Sequence, residues 1–144
     1  MNVPCPTAKQ VLIVEDEPDF ATLLRSLLET AGYTVATAHD CDDAMVQARR
    51  HKPDMITLDI QMPRKSGVFF YRKLKADRAF RDVPVVVVTG LTRDDAVMET
   101  LIRTMLDPGH VLPPHAYVEK PIEGPSFLKT IEETLEAACT AVTG

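Results

Sequence analysis

The run Val83-Pro-Val-Val-Val-Val88 sets the strongest limit on what this chain can fold into. A strand with no polar alternation is one covered on both faces, as central strands of a parallel sheet are. Three more apolar runs share a second property with it. Val11-Leu-Ile-Val14 runs into Glu15-Asp16, Met55-Ile-Thr-Leu58 into Asp59, Val83–Val88 into Thr89-Gly90, and Ala116-Tyr-Val118 into Glu119-Lys120-Pro121. A carboxylate does not belong inside a buried strand. It is at home at the strand's carboxyl end, where open α/β sheets place their ligand sites. An acid pair, an acid, a hydroxyl and an amine at four strand ends predict one polar site on one sheet edge.

Helical stripes separate these strands. Phe20, Leu23, Leu24, Leu27, Leu28 and Ala31 recur at steps of three and four and stop at Gly32. Asp16, Glu17 and Asp19 stand at the start, where one can cap the helix and all favour its positive end. Tyr33–Ala38 reads as a strand. Cys41, Ala44, Met45 and Ala48 line a short helix that ends in Arg49-Arg50-His51-Lys52 and stops at Pro53. Gly67, Phe70, Tyr71 and Leu74 mark the next helix, and Phe69-Phe70-Tyr71 reads as helix packing. Thr92 or Asp94 can cap a fourth helix with Met98, Leu101, Ile102, Met105 and Leu106 toward the core, ended by Asp107-Pro-Gly-His110. Phe127, Leu128, Ile131, Leu135 and Ala138 line the last helix.

Five βα units with right-handed crossovers give a doubly wound, three-layer α/β/α sandwich. One domain is expected over residues 9–139, with flexible tails at 1–8 and 140–144.

At 144 residues the chain is long enough for one real core. Its 16 basic and 21 acidic residues give −5, with no long Lys/Arg run, so no nucleic-acid-binding surface is expected. Cys5, Cys41 and Cys139 have no ligand spacing and read as reduced thiols in a cytoplasmic protein. No apolar run reaches membrane-spanning length, and the N-terminus lacks a signal peptide's regions. The four histidines show no ligand spacing either.

The fold must bring Glu15, Asp16 and Asp59 together from different strands. Three carboxylates in one pocket repel unless a cation joins them. Oxygen-only ligands suit a hard ion, and so few carboxylates with room for water suit Mg²⁺ better than Ca²⁺. Asp59 then reads as a nucleophile toward a phosphoryl group, with Lys120 a mobile charge and Thr89 a donor for its oxygens. The plainer alternative is that Asp59 only caps the following turn.

Four motifs in order carry a resemblance. Leu12-Ile-Val14-Glu15-Asp16-Glu17-Pro18, Leu58-Asp59-Ile60-Gln61-Met62-Pro63 followed by Gly67, Val88-Thr89-Gly90, and Tyr117-Val118-Glu119-Lys120-Pro121 resemble the receiver domain of two-component response regulators. The likeness spans residues 9–139 and implies a flavodoxin-like, CheY-like five-stranded parallel sheet of order 2-1-3-4-5. It implies that Asp59 accepts phosphate from a sensor histidine kinase or histidine phosphotransfer protein. Glu15, Asp16, Asp59 and the Gln61 backbone carbonyl would hold Mg²⁺, Asp16 and Asp59 directly and Glu15 through water. Thr89 and Lys120 would read the phosphoryl group, and Tyr117 would swing inward when Thr89 moves. Output would pass through the fourth helix, fifth strand and fifth helix.

Two features depart from the pattern. Glu15 stands where Asp is commoner, and Thr89 and Lys120 lie farther apart than receivers commonly have them, with the excess in Met105–His115. The resulting expectation is a phosphoacceptor switch rather than an enzyme, a monomer or weak homodimer, stand-alone or one piece of a larger regulator. It would act on a partner protein of unknown identity, with no direct contact to nucleic acid or membrane. Two rivals stand beside it. One is a phosphorylation-independent interaction module. The other is an aspartyl-phosphate phosphatase, which wants a second Asp where Gln61 stands.

Overall fold

The computed structural model describes residues 9–61, 66–90, 96–106 and 113–143. Strands and helices alternate along them: β1 (Gln10–Val14), α1 (Pro18–Thr30), β2 (Thr34–Ala38), α2 (Cys41–Arg50), β3 (Met55–Leu58), α3 (Ser66–Ala76), β4 (Val85–Thr89), α4 (Ala96–Leu106), β5 (Ala116–Glu119) and α5 (Gly124–Thr143). All strand pairs are parallel, and the sheet order is β2-β1-β3-β4-β5. The flavodoxin-like order implied by the motifs is the order observed.

Two cores follow from the alternation of side chains across the sheet. Leu12, Val14, Ile56, Leu58, Val85 and Val87 pack with residues of α2, α3 and α4. Val11, Ile13, Met55, Val86 and Val88 face the other way and pack with α1 and α5 through Leu24, Leu28, Phe127 and Ile131. Both faces are therefore covered, which is why β1, β3 and β4 read as unbroken apolar runs. Thr57 is the polar exception in β3. It is buried, and its Oγ1 meets no hydrogen-bond partner among the described residues.

Helix ends follow local chemistry. Pro18 occupies the first turn of α1, where its missing N–H costs nothing. Glu17 is the N-cap but makes no side-chain cap bond, so the expected carboxylate cap is not formed at α1. At the other end Gly32 has φ +99°, and the N–H groups of Gly32 and Tyr33 reach back to the carbonyls of Glu29 and Leu28 at 3.0 Å each. That left-handed turn is why the apolar stripe stops there. Asp40 does cap α2, accepting from the Asp43 N–H at 2.7 Å.

Phe70 and Tyr71 of α3 are fully buried, whereas Phe69 is 55% exposed, so the aromatic triplet is not packing throughout. In α4, Met98, Leu101 and Met105 are buried and Ile102 and Leu106 lean on the same core, as their spacing predicts. Helix α5 continues past the expected boundary at residue 139 and reaches Thr143. Among the described residues no helix is long and apolar enough to cross a membrane. The expected tail at residues 1–8, the Met62-Pro63 pair, the Thr92 and Asp94 caps and most of the Met105–His115 excess lie outside the described residues.

Lys75 is a buried charge that its place on α3 did not mark. Its ammonium donates to the carbonyls of Val83 at 2.6 Å and Arg81 at 3.1 Å, tying the end of α3 to the turn before β4. Burial pulls its pKa down to about 8 from 10.5, with Asp82 pulling weakly the other way. Between those values the unfolded chain holds a proton that the folded chain releases, so stability rises with pH across that window. Lys75→Met abolishes this contribution. Urea unfolding at about pH 7.5 and about pH 10 should show the parent gaining stability relative to the variant at the higher pH. A difference that does not change with pH would contradict the assignment.

Candidate functional site

Strand register builds the site. Val14 pairs with Leu58, so Glu15 and Asp59 emerge side by side one residue later. The Asp59 N–H extends the ladder to the Val14 carbonyl at 3.1 Å, and the Glu15 N–H reaches the Ala38 carbonyl at 3.0 Å. Leu58 pairs with Val87 and Thr89 with Glu119, which sets Thr89 and Lys120 at the same edge, slightly farther out. The Lys120 N–H donates to the Thr89 carbonyl at 2.7 Å and fixes that last step. The Lys120–Pro121 peptide is cis.

Glu15 and Asp59 are buried, at 3% and 5% exposure, while Asp16 is exposed. Each of the three brings a carboxylate oxygen within 4.8 Å of the others. The Lys120 ammonium lies 3.0 Å from Glu15 Oε1 and 3.6 Å from Asp59 Oδ2. It also sits 4.1 Å from the centroid of the Phe20 ring on α1, whose face attracts a cation. Burial pushes the Glu15 carboxyl well above its usual range; the Lys120 hydrogen bond opposes this and the Asp59 charge adds to it. Burial pulls Lys120 down, but the hydrogen bond to Glu15 and the charges of both acids outweigh it and hold the ammonium above its ordinary value.

Asp59 is further fixed by its own turn, with the Gln61 N–H donating to Oδ1 at 2.9 Å. The Gln61 side chain reaches in the other direction. Its Oε1 accepts from the Thr89 hydroxyl at 3.1 Å and from the Gly90 N–H at 3.0 Å. So Thr89, buried at the end of β4, is joined to the Asp59 turn through Gln61. Tyr117 is half-buried on β5 and packs against the α2–α3–α4 core. There it helps burial push the phenol of fully buried Tyr71 upward.

Two of the acids, Glu15 and Asp16, border an open cleft. It measures about 350 Å³ and is lined by Thr22 and Arg25 of α1, and by Thr37 and His39 at the end of β2. All-oxygen donors, two buried and one exposed, fit a hard divalent ion that keeps some of its water.

Three contributors here have no role that the sequence marks. Phe20 fits the apolar stripe of α1, the Gln61 side chain counts in the sequence only as standing where a phosphatase wants Asp, and Gly90 stands in the Thr89 motif without a role of its own. The signal for Phe20 was its place in the first turn after the acid pair, where a helix overhangs the sheet edge.

Sheet order and edge chemistry together define a class. Residues 11–132 match the family described as the response regulator receiver domain, and the chain belongs to that family. It is a receiver domain of the two-component type. The polar-differentiation response regulator DivK of Brucella anthropi is 37% identical over 127 residues, covering 88% of this chain and 96% of the relative. DivK of Brucella melitensis biotype 1 matches to the same extent. Among solved structures, a sensor protein from Polaromonas sp. JS666 superposes with a TM-score of 0.77 at 27% identity, covering 90% of this chain and 98% of that one. The receiver domain of the sensor histidine kinase PA1611 from Pseudomonas aeruginosa PAO1 shares the fold, with a TM-score of 0.76, 22% identity and the same coverage. That structure has a magnesium ion coordinated in its active site cleft.

Gly67 shows how closely α3 approaches the acceptor turn. A Cβ there would lie 2.5 Å from the Asp59 carbonyl oxygen and 2.7 Å from the Ile60 Cα. These are backbone atoms, so the turn itself must move. Gly67→Ala should therefore cost about 1–3 kcal/mol in urea unfolding and shift the Asp59 and Ile60 amide resonances. Unchanged stability would show that α3 can back away freely.

Proposed function

We propose that this receiver is a phosphorylation-dependent switch that accepts a phosphoryl group on Asp59 from a sensor histidine kinase or histidine phosphotransfer protein. The observation that carries this is the placement of Asp59. Its carboxylate is buried at the end of β3, held by the Gln61 N–H on one oxygen and facing the Lys120 ammonium with the other. In the transfer an Asp59 oxygen forms a bond to phosphorus as the phosphorus–nitrogen bond of the donor imidazole breaks. The imidazole keeps the bonding pair.

Glu15, Asp16, Asp59 and the Gln61 carbonyl would hold Mg²⁺, Asp16 and Asp59 directly and Glu15 through water. When bound, the ion supplies positive charge that lets an anionic phosphoryl group approach three acids and stabilises its oxygens during transfer. The magnesium in the PA1611 receiver supports this assignment. Lys120 now divides itself between Glu15 and Asp59, and a phosphoryl group on Asp59 would draw it outward. Thr89 would turn its hydroxyl to the same group. Paired with Lys120 and Thr89, the added charge favours a second arrangement of α4, β5 and α5. A groove of about 240 Å³ between β5 and α5, lined by Tyr117, Glu119 and Phe127 among others, lies on that face. The partner it acts on is another protein, and the setting is the cytoplasm.

Acetyl phosphate with Mg²⁺ should add one phosphate per chain, read by intact mass, and Asp59→Asn should abolish it. No incorporation into the folded protein would sink the proposal, and rapid turnover of varied phosphomonoesters would point to a phosphatase. Lys120→Ala should leave Mg²⁺ binding within about threefold of the parent, since Lys120 donates to the acids rather than coordinating a metal. The same variant should uncouple phosphorylation from any change at Tyr117, read from its ring resonances by NMR. A collapse of metal affinity in Lys120→Ala would overturn this division of roles.

A further inference from the structure

The Thr89 hydroxyl and the Gly90 N–H converge on a single oxygen, Gln61 Oε1, at 3.1 and 3.0 Å. Two donors fixed at the end of a strand and aimed at one point form a small oxyanion-type site. Its present occupant belongs to the chain itself. Gln61 lies two residues after Asp59, so its backbone N–H holds the acceptor carboxylate while its side chain covers the donors beside it. We propose, on the reading that Asp59 is phosphorylated, that the Gln61 side chain is a resting-state latch. Its amide oxygen occupies the place between Thr89 and Gly90 that a phosphoryl oxygen takes over.

The lack of a side chain at Gly90 suits the same contact. A Cβ at that position would stand 3.2 Å from Gln61 Oε1, so the side-chain-free residue leaves the amide room to seat. The exchange has a natural direction. Hydrogen bonds to a charged phosphoryl oxygen are roughly twice as strong as those to a neutral amide. Gln61 is exposed, so it can leave for solvent and regain hydrogen bonds there. Without a phosphoryl group nothing displaces it, and Thr89 stays with Gln61. With one, the latch must open before Thr89 and Gly90 can bind it. Gln61 is thus a positioning residue that lowers the apparent affinity of the site for the phosphoryl group by the cost of opening.

The test uses the full chain with Mg²⁺ and beryllofluoride, a phosphoryl mimic, followed by amide NMR. In the parent, titration should saturate and shift the Gly90 amide, and Asp59→Asn should remove both effects. Gln61→Met keeps an unbranched side chain of similar length but has no amide oxygen. It should bind beryllofluoride about threefold to tenfold tighter, the range expected when weak, solvent-accessible hydrogen bonds need not be broken. Its Gly90 amide should already be shifted before any ligand is added, which shows the contact is lost, and the gain in affinity is the change that a merely structural role for Gln61 would not produce. Gln61→Ala, which removes the amide and leaves the place between Thr89 and Gly90 open, should move affinity in the same direction and gives a second reading if Gln61→Met folds poorly. If the parent binds the mimic and Gln61→Met binds it equally or more weakly, the latch is refuted while the phosphoacceptor reading stands. If the folded parent does not bind the mimic at all, the phosphoacceptor reading fails and the latch with it.

Discussion

Glu15 and Asp59 are buried side by side at the ends of neighbouring strands, and the Lys120 ammonium lies 3.0 Å from one and 3.6 Å from the other. Like charges this close repel by several kcal/mol, about 4 kcal/mol at 4 Å for an effective dielectric of 20. Without a counter-charge one of the acids would take up a proton, and Glu15 is already pushed that way by burial. Lys120 therefore sets the charge state of the edge, and it arrives from β5, at the far side of the sheet from β2. Phe20 holds the same ammonium from α1. The acids, the last strand and the first helix are thus tied to one nitrogen. A shift in β5 or α1 moves the only cation seen within salt-bridge reach of both acids among the described residues.

The register supplies what a single ion pair cannot, which is level. A parallel pairing that slipped by one residue would turn every side chain of that strand to the opposite face. Val14 opposite Leu58 and Thr89 opposite Glu119 hold the polar residues at successive heights along one edge. The two apolar cores enforce that pairing, since β1, β3 and β4 bury residues on both faces. Chemistry at the edge and packing in the layers are specified by the same alternation.

That alternation is also why the strands and the edge residues could be read from the sequence, whereas their order in the sheet came only from the resemblance to receiver domains. Apolar runs ending in Glu15-Asp16, Asp59, Thr89 and Lys120 carry fold and site in the same stretch of chain. What could not be read depends on how side chains meet across the fold. Phe20 fits the core stripe of α1 equally well whether or not an ammonium lies on its ring. Lys75 sits on α3 four residues after Tyr71, and only the packed structure shows it folded back over the turn into β4, with its ammonium on the Val83 and Arg81 carbonyls. Gln61 offers two hydrogen-bonding ends, and no pattern in the chain says that its amide turns to Thr89. At α1 the N-cap residue among the acids offered, Glu17, makes no side-chain cap bond, and Pro18 in the first turn has no N–H to be capped.

Glu15 in place of the commoner Asp takes on a physical meaning in this setting. Its extra methylene lets one carboxylate serve two donors at different heights, Lys120 at 3.0 Å and the Glu17 N–H at 3.3 Å. A shorter acid at the end of β1 would need the backbone or Lys120 to move to keep both. The resting edge is therefore doubly occupied by the chain's own groups, with the Lys120 ammonium resting on Glu15 and the Gln61 amide resting between Thr89 and Gly90. On the proposed reading both occupants stand in for parts of the phosphorylated state. The ammonium holds the positive charge that a metal would share, and the amide oxygen holds the place of a phosphoryl oxygen. Such a site is preorganised, because its donors are already aimed and its acids already gathered. It is also restrained, because each of those groups must give up a present partner before the switch can turn.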